Sequence, residues 1–439
     1  MPLKVLIVGA GICGPGMALM LRRSDPENSV TVVERYPGIR HNGLQIDLRA
    51  WGVPIMKRLG LIDVVKEKVV HEAGFTFIDA KGGRHGTFGT SGTDTGAQSF
   101  TSEFEIMRGD LSQLLYEASI KDPKTGKLEP QPTAEEVTPE VEDKPGVRYR
   151  FGITPKVILQ DDDGVDVTFS DGTQRRYDLV IGADGQWSRT RRMLFGEEEG
   201  LAMLKPLNLY IAYYTIPSEP SDGKYAQFYQ PGKGRGVATR AAAGRGGTQV
   251  YMMLRSKSEE VRRGIERQSL ETQVDTFVNT FKDSGWQDKR FMDGMRKATD
   301  FYAETIGQVK APHVAKGRVA LLGDAAYCAA PITGMGTTVS LLGAWILAGE
   351  LARHKGDVKT SLEAYDVNVR PYIVEAQKLM PGVPWIMTID SKWGVKVLHF
   401  FTSLISLFRI DKILFALMPE DKGGLPIPEY PELDLSAPS

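Results

Sequence analysis

The chain has 439 residues, 41% of them apolar and 25% charged, which excludes a disordered or low-complexity protein. Its 54 basic and 55 acidic residues leave a net charge of −1, which argues against holding nucleic acid through an overall field. Two cysteines cannot build a disulfide framework, and the six histidines never fall at the short spacings of a zinc site, so no metal is expected.

In chain order, residues 3–8 read as a buried parallel strand, followed by Gly9-Ala10-Gly11-Ile12-Cys13-Gly14 and a helix from Pro15 onward. A second strand, Val30–Val33, ends in Glu34. Each part suits a dinucleotide. Gly9 permits the tight turn, Gly11 lets backbone approach a pyrophosphate, and Gly14 lets the helix pack against the strand. The helix start favours the diphosphate through free N–H groups and its dipole. Glu34 lies about 20 residues after Gly14, where an acid accepts from the ribose. Arg35 either lies against the adenosine or is a solvated surface arginine. By itself this motif leaves FAD, NAD and NADP open.

Two later segments repeat the theme of a strand ending in an acid among glycines. One is Asp178–Gly185, ending in Gly182-Ala183-Asp184-Gly185. The other is Gly317–Ala326, containing Gly323-Asp324-Ala325-Ala326 and leading through Pro331-Ile332-Thr333-Gly334-Met335-Gly336 into an apolar helix, Thr337–Leu351. Glycines at 334 and 336 feed the helix start, which carries a partial positive charge. Alternating strands are expected at Phe75–Asp79, Leu209–Thr215 and Thr248–Arg255. Residues 121–146 read as an exposed loop, and 223–247 as a solvated basic hairpin tip. The apolar positions of 395–418 are interrupted by Lys396, His399, Arg409, Asp411 and Lys412. They predict an amphipathic helix over the substrate domain, with membrane-surface contact the minor reading and no transmembrane segment. The N-terminal run lacks the pattern of a targeting signal, which makes cytoplasm the expected compartment.

Taken together, the three motifs resemble those of the class A FAD-dependent monooxygenases, which include para-hydroxybenzoate hydroxylase, salicylate hydroxylase and the tetracycline-inactivating enzymes. The resemblance runs from residue 3 to about residue 380. It implies an α/β fold: a Rossmann-like FAD-binding domain from 1–72, 102–200 and 302–380, an inserted antiparallel β-sheet substrate domain from 73–101 and 201–301, and a C-terminal helical segment, 381–439. It also implies FAD as cofactor, NADPH or NADH as co-substrate, O2, and oxygenation through a flavin C4a-hydroperoxide that needs a dry, shaped site.

Carried over residue by residue, the resemblance assigns Gly11, Gly14 and Glu34 to the adenosine diphosphate and Arg108 to the flavin cofactor. Asp184 goes to the pyrophosphate and Asp324 to the ribityl chain. Pro331, Gly334 and Gly336 go to the isoalloxazine side. Asp47, in Gly43-Leu44-Gln45-Ile46-Asp47-Leu48-Arg49, matches an acid touching flavin, and Arg40 an NADPH-binding arginine. Tyr327 stands where many phenol hydroxylases have histidine. That points to a medium-sized aromatic or polyketide-like substrate of secondary metabolism, tetracycline-type inactivation being one version. No catalytic side chain is identified. Cys13 and Cys328 are expected to be packing residues. A flavin reductase, or an FAD-binding protein without turnover, remains the alternative.

Overall fold

The computed structural model describes residues 2–41, 43, 45–70, 73–89, 104–122, 125–133, 136–242, 246–379, 382–409 and 424–433. Leu44 of the Gly43–Arg49 motif and residues 410–418 of the expected C-terminal helix lie outside them. The fold is mixed α/β, as expected.

Its cofactor-side sheet has the strand order Ala315–Lys316, Val319–Leu321, Leu179–Gly182, Lys4–Val8, Ser29–Glu34, Gly146–Phe151, parallel except at the first pair. Both faces are buried, which explains the unbroken apolar runs at 5–8 and 179–182. Val5, Ile7, Val30 and Ile181 join the core beneath the helices Cys13–Ser24, Gly336–Arg353 and Val358–Ala376. Leu6, Val8, Val33 and Val180 face the other way, onto Val165, Val167 and Phe169. That second cover is a three-stranded antiparallel sheet, Pro155–Gln160, Val165–Phe169 and Gln174–Tyr177, which the sequence reading did not anticipate.

The loop expected at 121–146 is only partly exposed. A short helix, Pro139–Glu142, carries the fully buried Glu142 against Arg150 at 3.2 Å and Arg175 at 3.1 Å. An acid buried between two guanidiniums cannot be read from composition.

The seven-stranded sheet runs Tyr302–Val309, Leu204–Ile216, Gly247–Arg255, Arg235–Ala242, Ala226–Gly232, Gly74–Ile78, Arg84–Gly89. It contains all three strands expected from alternation. It also takes in Tyr302–Val309, so it reaches past the expected boundary at 301. Residues Arg235–Ala242, expected in a solvated hairpin tip, are a strand of this sheet, and Arg235 is buried. Strand period sorts the sheet's two faces. Tyr210, Ala212, Tyr214, Val250 and Met252 pack under the helices Leu270–Phe281 and Asp288–Lys297. Leu209, Ile211, Tyr213, Met253 and Ile306 face Ala330 and Ile332 on the cofactor side. Glutamine amides tie the two sides together. Gln186 Nε2 donates to Thr305 O at 2.9 Å, Gln308 Nε2 to Ala329 O at 3.2 Å and Gln377 Nε2 to Val309 O at 2.7 Å.

The helix Lys392–Leu407 lies along Arg84–Gly89, at the edge of the substrate sheet. Thr402 Oγ1 donates to His85 O at 2.5 Å and Ser406 Oγ to Thr87 O at 3.1 Å, so hydroxyls satisfy carbonyls of the edge strand. Residues 424–433 do something else: they return to the cofactor-side helices. Trp51 Nε1 donates to Leu425 O at 2.8 Å and Trp345 Nε1 to Pro428 O at 2.9 Å, and Tyr430 Oη reaches the buried Glu350 at 2.5 Å. Among the described C-terminal residues, Lys392–Leu407 packs over the substrate sheet and 424–433 does not.

Two stability tests arise here. Tyr430→Phe removes a bond to a buried carboxylate and should cost about 1.5–3 kcal/mol, read from the denaturant midpoint; an unchanged midpoint would mean Glu350 does not need it. The rings of His85 and His399 stack at 4.4 Å. Burial, then the neighbouring His85, hold His399 down to about 4 from its ordinary 6.5, while Asp79 opposes. The folded state therefore binds fewer protons than the unfolded chain between these values. The contribution is complete above about 6.5 and disappears as pH falls toward 4. Thermal midpoints of wild type should fall across that window more steeply than those of His399→Phe; parallel curves would exclude the pair as the cause.

Candidate active site

The nucleotide end is built by close backbone approach. A Cβ on Gly14 would stand 1.9 Å from Gly9 O, so no side chain fits there. Gly9 has φ +111°, and a Cβ would meet Ala183 O at 2.5 Å. Gly11 differs: its φ is ordinary, and a Cβ would meet nothing closer than Arg108 Nη2 at 3.5 Å. Neither conformation nor protein packing requires glycine at 11. The open space beside a helix start and a guanidinium has the donors that a diphosphate needs. Glu34 is buried, and its Oε2 accepts from Ala10 N at 2.8 Å and its Oε1 from Tyr36 N at 3.1 Å. This fixes the carboxylate beside the glycine turn, with lone pairs left over. Arg35 and Arg40 lie over the Tyr36 ring, 4.9 and 4.7 Å from its centroid.

The described residues of 40–49 wrap the start of the helix Arg108–Ser119. Gln45–Asp47 pairs antiparallel with Glu105–Met107. A Cβ on Gly109 would strike His41 O at 2.4 Å, and one on Gly43 would press on Arg108 Cδ at 3.0 Å. Asp47 forms an ion pair with Arg49, whose guanidinium lies 3.3 Å from a Cβ built on Gly334. Thr338 Oγ1 donates to Arg49 O at 2.9 Å. The Asp47 segment is thereby attached to the turn Pro331–Thr333 and to the helix Gly336–Arg353. Gln45 is buried; its Nε2 donates to Ala241 O at 3.1 Å, while Oε1 has no partner among the described residues.

The later loop divides its glycines between two roles. Gly334 is left-handed at φ +67°, so the turn demands it. Gly336 has no such φ, and a Cβ would meet only Asp324 Oδ1 at 4.0 Å. Like Gly11, it has open space beside it among the described residues. Ala330, buried just before the turn, holds φ 72° and ψ 138°, a region nearly reserved for glycine. Such a residue carries about 1–3 kcal/mol of strain and concentrates at functional sites.

The two acids behave differently. Asp184 accepts from Ser188 Oγ at 2.5 Å, Arg189 N at 2.8 Å and Thr190 N at 3.0 Å, which caps the helix Arg189–Phe195. Its carboxylate organises a helix start. Asp324 is raised by burial, against the thiol of Cys328 and the charge of Arg108. Arg108 is lowered by burial and then by Arg40, against Tyr302, Glu304 and Asp324. These five groups, from four separate parts of the chain, thus share one electrostatic environment. Cys13 and Cys328 are buried, with both thiols pushed up by burial, as packing residues are. Tyr327 turns away from the loop into the helical core and meets Tyr365 Oη at 3.0 Å. Its replacement of histidine therefore says little about substrate.

Opposite this loop, the cofactor-side face of the seven-stranded sheet is strongly aromatic. Tyr213 lies between Tyr251, edge-on at 5.2 Å, and Tyr302, stacked at 6.3 Å. Phe77 contacts Phe228 at 5.7 Å. Tyr302 Oη donates to Glu304 Oε2 at 2.8 Å. Sequence reasoning missed Tyr302, Glu304, Arg49, Thr338 and Ala330. For Arg49 a signal existed, since it closes the quoted motif; for the others only tertiary placement reveals them.

Comparisons with known proteins bear on family and fold. The FAD binding domain family matches residues 2–377. FAD-dependent monooxygenase asL6 of Sarocladium schorii is 39% identical over 442 residues, covering 100% of both chains. The crystal structure of tetracycline destructase Tet(55) superposes with a TM-score of 0.75 at 26% identity, covering 98% of this chain and 99% of that one. Klebsiella pneumoniae HpxO, complexed with FAD and uric acid, shares the fold with a TM-score of 0.64 at 18% identity, covering 94% of this chain and 96% of that one. With the family match spanning most of its length and a full-length relative well above 30% identity, this chain belongs to the FAD-binding, class A flavin-dependent monooxygenases.

Proposed function

We propose that the chain uses FAD, NAD(P)H and O2 to oxygenate a phenolic aromatic or polyketide-like molecule. The observation that carries this reading is the aromatic sheet face, with Tyr213, Tyr251 and Tyr302, set opposite the strained Ala330 loop. It offers a flat apolar wall with a few polar tips, which suits an extended ring system.

In this reading Gly11, Gly14 and Arg108 hold the diphosphate, and Glu34 uses its spare lone pairs for the ribose. Arg35 lies against the adenosine and Asp184 acts through the helix that it caps. Asp324 takes the ribityl chain, and Asp47, Pro331, Gly334 and Gly336 flank the ring. Arg40 binds NADPH. Bound FAD supplies the electron transfer and oxygen activation. The protein's part is to orient and exclude water. The first N–H groups of the helix Gly336–Arg353 lack acceptors within the helix and favour negative charge beside Gly336. The apolar face of the substrate sheet keeps the region dry. No helix among the described residues is long and apolar enough to cross a membrane. The two buried thiols fit a reducing compartment such as cytoplasm.

Asp324→Ala should purify colourless while remaining folded; full flavin absorbance would remove Asp324 from the cofactor site. Arg40→Ala should raise the KM for NADPH roughly ten- to hundredfold, the loss of one charge-assisted contact, with FAD content unchanged. Unaltered reduction kinetics would exclude that role. The reading as a whole is tested by incubating the FAD-loaded protein with NADPH, 18O2 and a panel of phenols, quinones and tetracyclines. Label in a product supports it, and label in a tetracycline selects the inactivating version. NADPH oxidation without incorporation leaves a reductase, and no oxidation at all leaves a non-catalytic flavoprotein.

A further inference from the structure

We propose that the helix Lys392–Leu407 docks the protein on an anionic lipid surface, an inference independent of the oxygenation reading above. The helix is turned the opposite way from an ordinary surface helix, which buries its apolar side. Its side toward the protein carries polar groups. The His399 ring stacks on His85, Thr402 Oγ1 donates to His85 O, and Ser406 Oγ accepts from Thr87 N at 3.2 Å and donates to Thr87 O. Ser391 Oγ accepts from Gly394 N at 2.9 Å and caps the helix start. These bonds fix the rotation of the helix, so its outward side cannot turn inward without breaking them.

That outward side is apolar. Trp393, Phe400 and Leu407 recur every seven residues, close to two helical turns, and so lie nearly on one line. Trp393 and Leu407 are each 75% exposed and Phe400 62%. By helical rotation Phe401 and Phe408, both exposed, border the line on one side and Lys392 and Lys396 on the other. The short helix Val383–Met387 adds the exposed Trp385 and Ile386 just before it. Exposed aromatics gathered in this way mark a surface that meets something.

Charge selects the partner. From Ser391 to Arg409 the chain has no Asp or Glu, and its charges are Lys392, Lys396 and Arg409, all exposed. Asp390, just before the helix, pairs with Arg255 at 2.6 Å, and Asp79, near the edge strand, with His85 at 2.9 Å. A second copy of the helix suits this face badly. A twofold contact pairs a surface with itself, and here the lysines would meet no acid. A lipid surface with anionic headgroups supplies what each group needs: negative charge for the lysines, the headgroup boundary for tryptophan, and acyl chain for phenylalanine and leucine. Such a helix lies in the surface and needs no spanning segment. Because it runs along Arg84–Gly89, docking turns that edge of the seven-stranded sheet toward the lipid.

The test uses the full-length, FAD-loaded protein with vesicles of phosphatidylcholine alone or mixed with phosphatidylserine. Wild type should sediment with the mixed vesicles, and salt should release it. The double variant Lys392→Glu, Lys396→Glu should bind them at least about tenfold more weakly, and so should Phe400→Ser, Leu407→Ser. Both should keep wild-type FAD content and thermal midpoint, because these side chains are exposed. Brominated acyl chains should quench wild-type tryptophan emission more than that of Trp393→Phe. No binding of wild type to mixed vesicles, equal binding by either double variant, or equal quenching of wild type and Trp393→Phe would overturn the proposal. A dimer that Phe400→Ser, Leu407→Ser dissociates, in a protein that ignores vesicles, would give the face to a second copy. Trp393 emission that neither vesicles nor a soluble quencher alters would give it to residues 410–423. Either result overturns the lipid assignment.

Discussion

The rest of the site depends on one close approach, that of Gly14 to the carbonyl of Gly9, where the first helix meets the end of the first strand without room for a methyl group. It aims the helix start at the end of the parallel sheet. The same helix then seats a second one. A Cβ built on Gly16 lies 3.3 Å from Leu341 Cδ2, and Cys13 Sγ donates to Ser340 O at 3.6 Å. Small residues on consecutive turns thus bring Gly336–Arg353 against Cys13–Ser24. Each helix start carries about half a positive charge, so an anionic, extended cofactor sees a chain of favourable potential made from backbone alone.

Across from that backbone surface, the seven-stranded sheet contributes side chains. The spacing between the two is kept by amide groups: Gln186, Gln308 and Gln377 bond main-chain carbonyls of the opposing part. Such bonds are directional and each is modest in net energy, about 1 kcal/mol. They fix separation without adding charge. The charged groups are left to balance one another around the cleft: Arg40 and Arg108 on the cofactor side, Asp324 between, and Glu304 on the sheet.

Much of this was legible in the sequence, for reasons that differ by element. Gly9, Gly14 and Gly334 were readable because glycine there marks a backbone demand that other residues cannot meet. Gly9 and Gly14 confirm this from clash distances, and Gly334 from its φ. The strands of the substrate sheet were readable because one period sorts residues between two faces. The three-stranded cover at 155–177 was not, since its polar turns and exposed residues at Lys156 and Leu159 resemble a surface loop. Glu304 was invisible because its meaning lies in what stands opposite it. A strand glutamate is ordinary until Arg108, Arg40 and Asp324 converge on it from distant parts of the chain. Asp184 shows the reverse: a motif acid whose immediate partners are Ser188, Arg189 and Thr190 of its own helix start.

The return of residues 424–433 to the cofactor-side helices has a bearing on biogenesis. Tyr430 fills the space over Gly349, where a Cβ would lie 2.2 Å from its ring, and its hydroxyl bonds Glu350 from 80 residues away. On a ribosome adding about 5–20 residues per second, that helix waits roughly 4–16 s for its covering tyrosine. During that interval Trp345 also lacks the carbonyl of Pro428. A nascent chain at this stage exposes an apolar groove on otherwise formed helices, which is the kind of surface that chaperones hold.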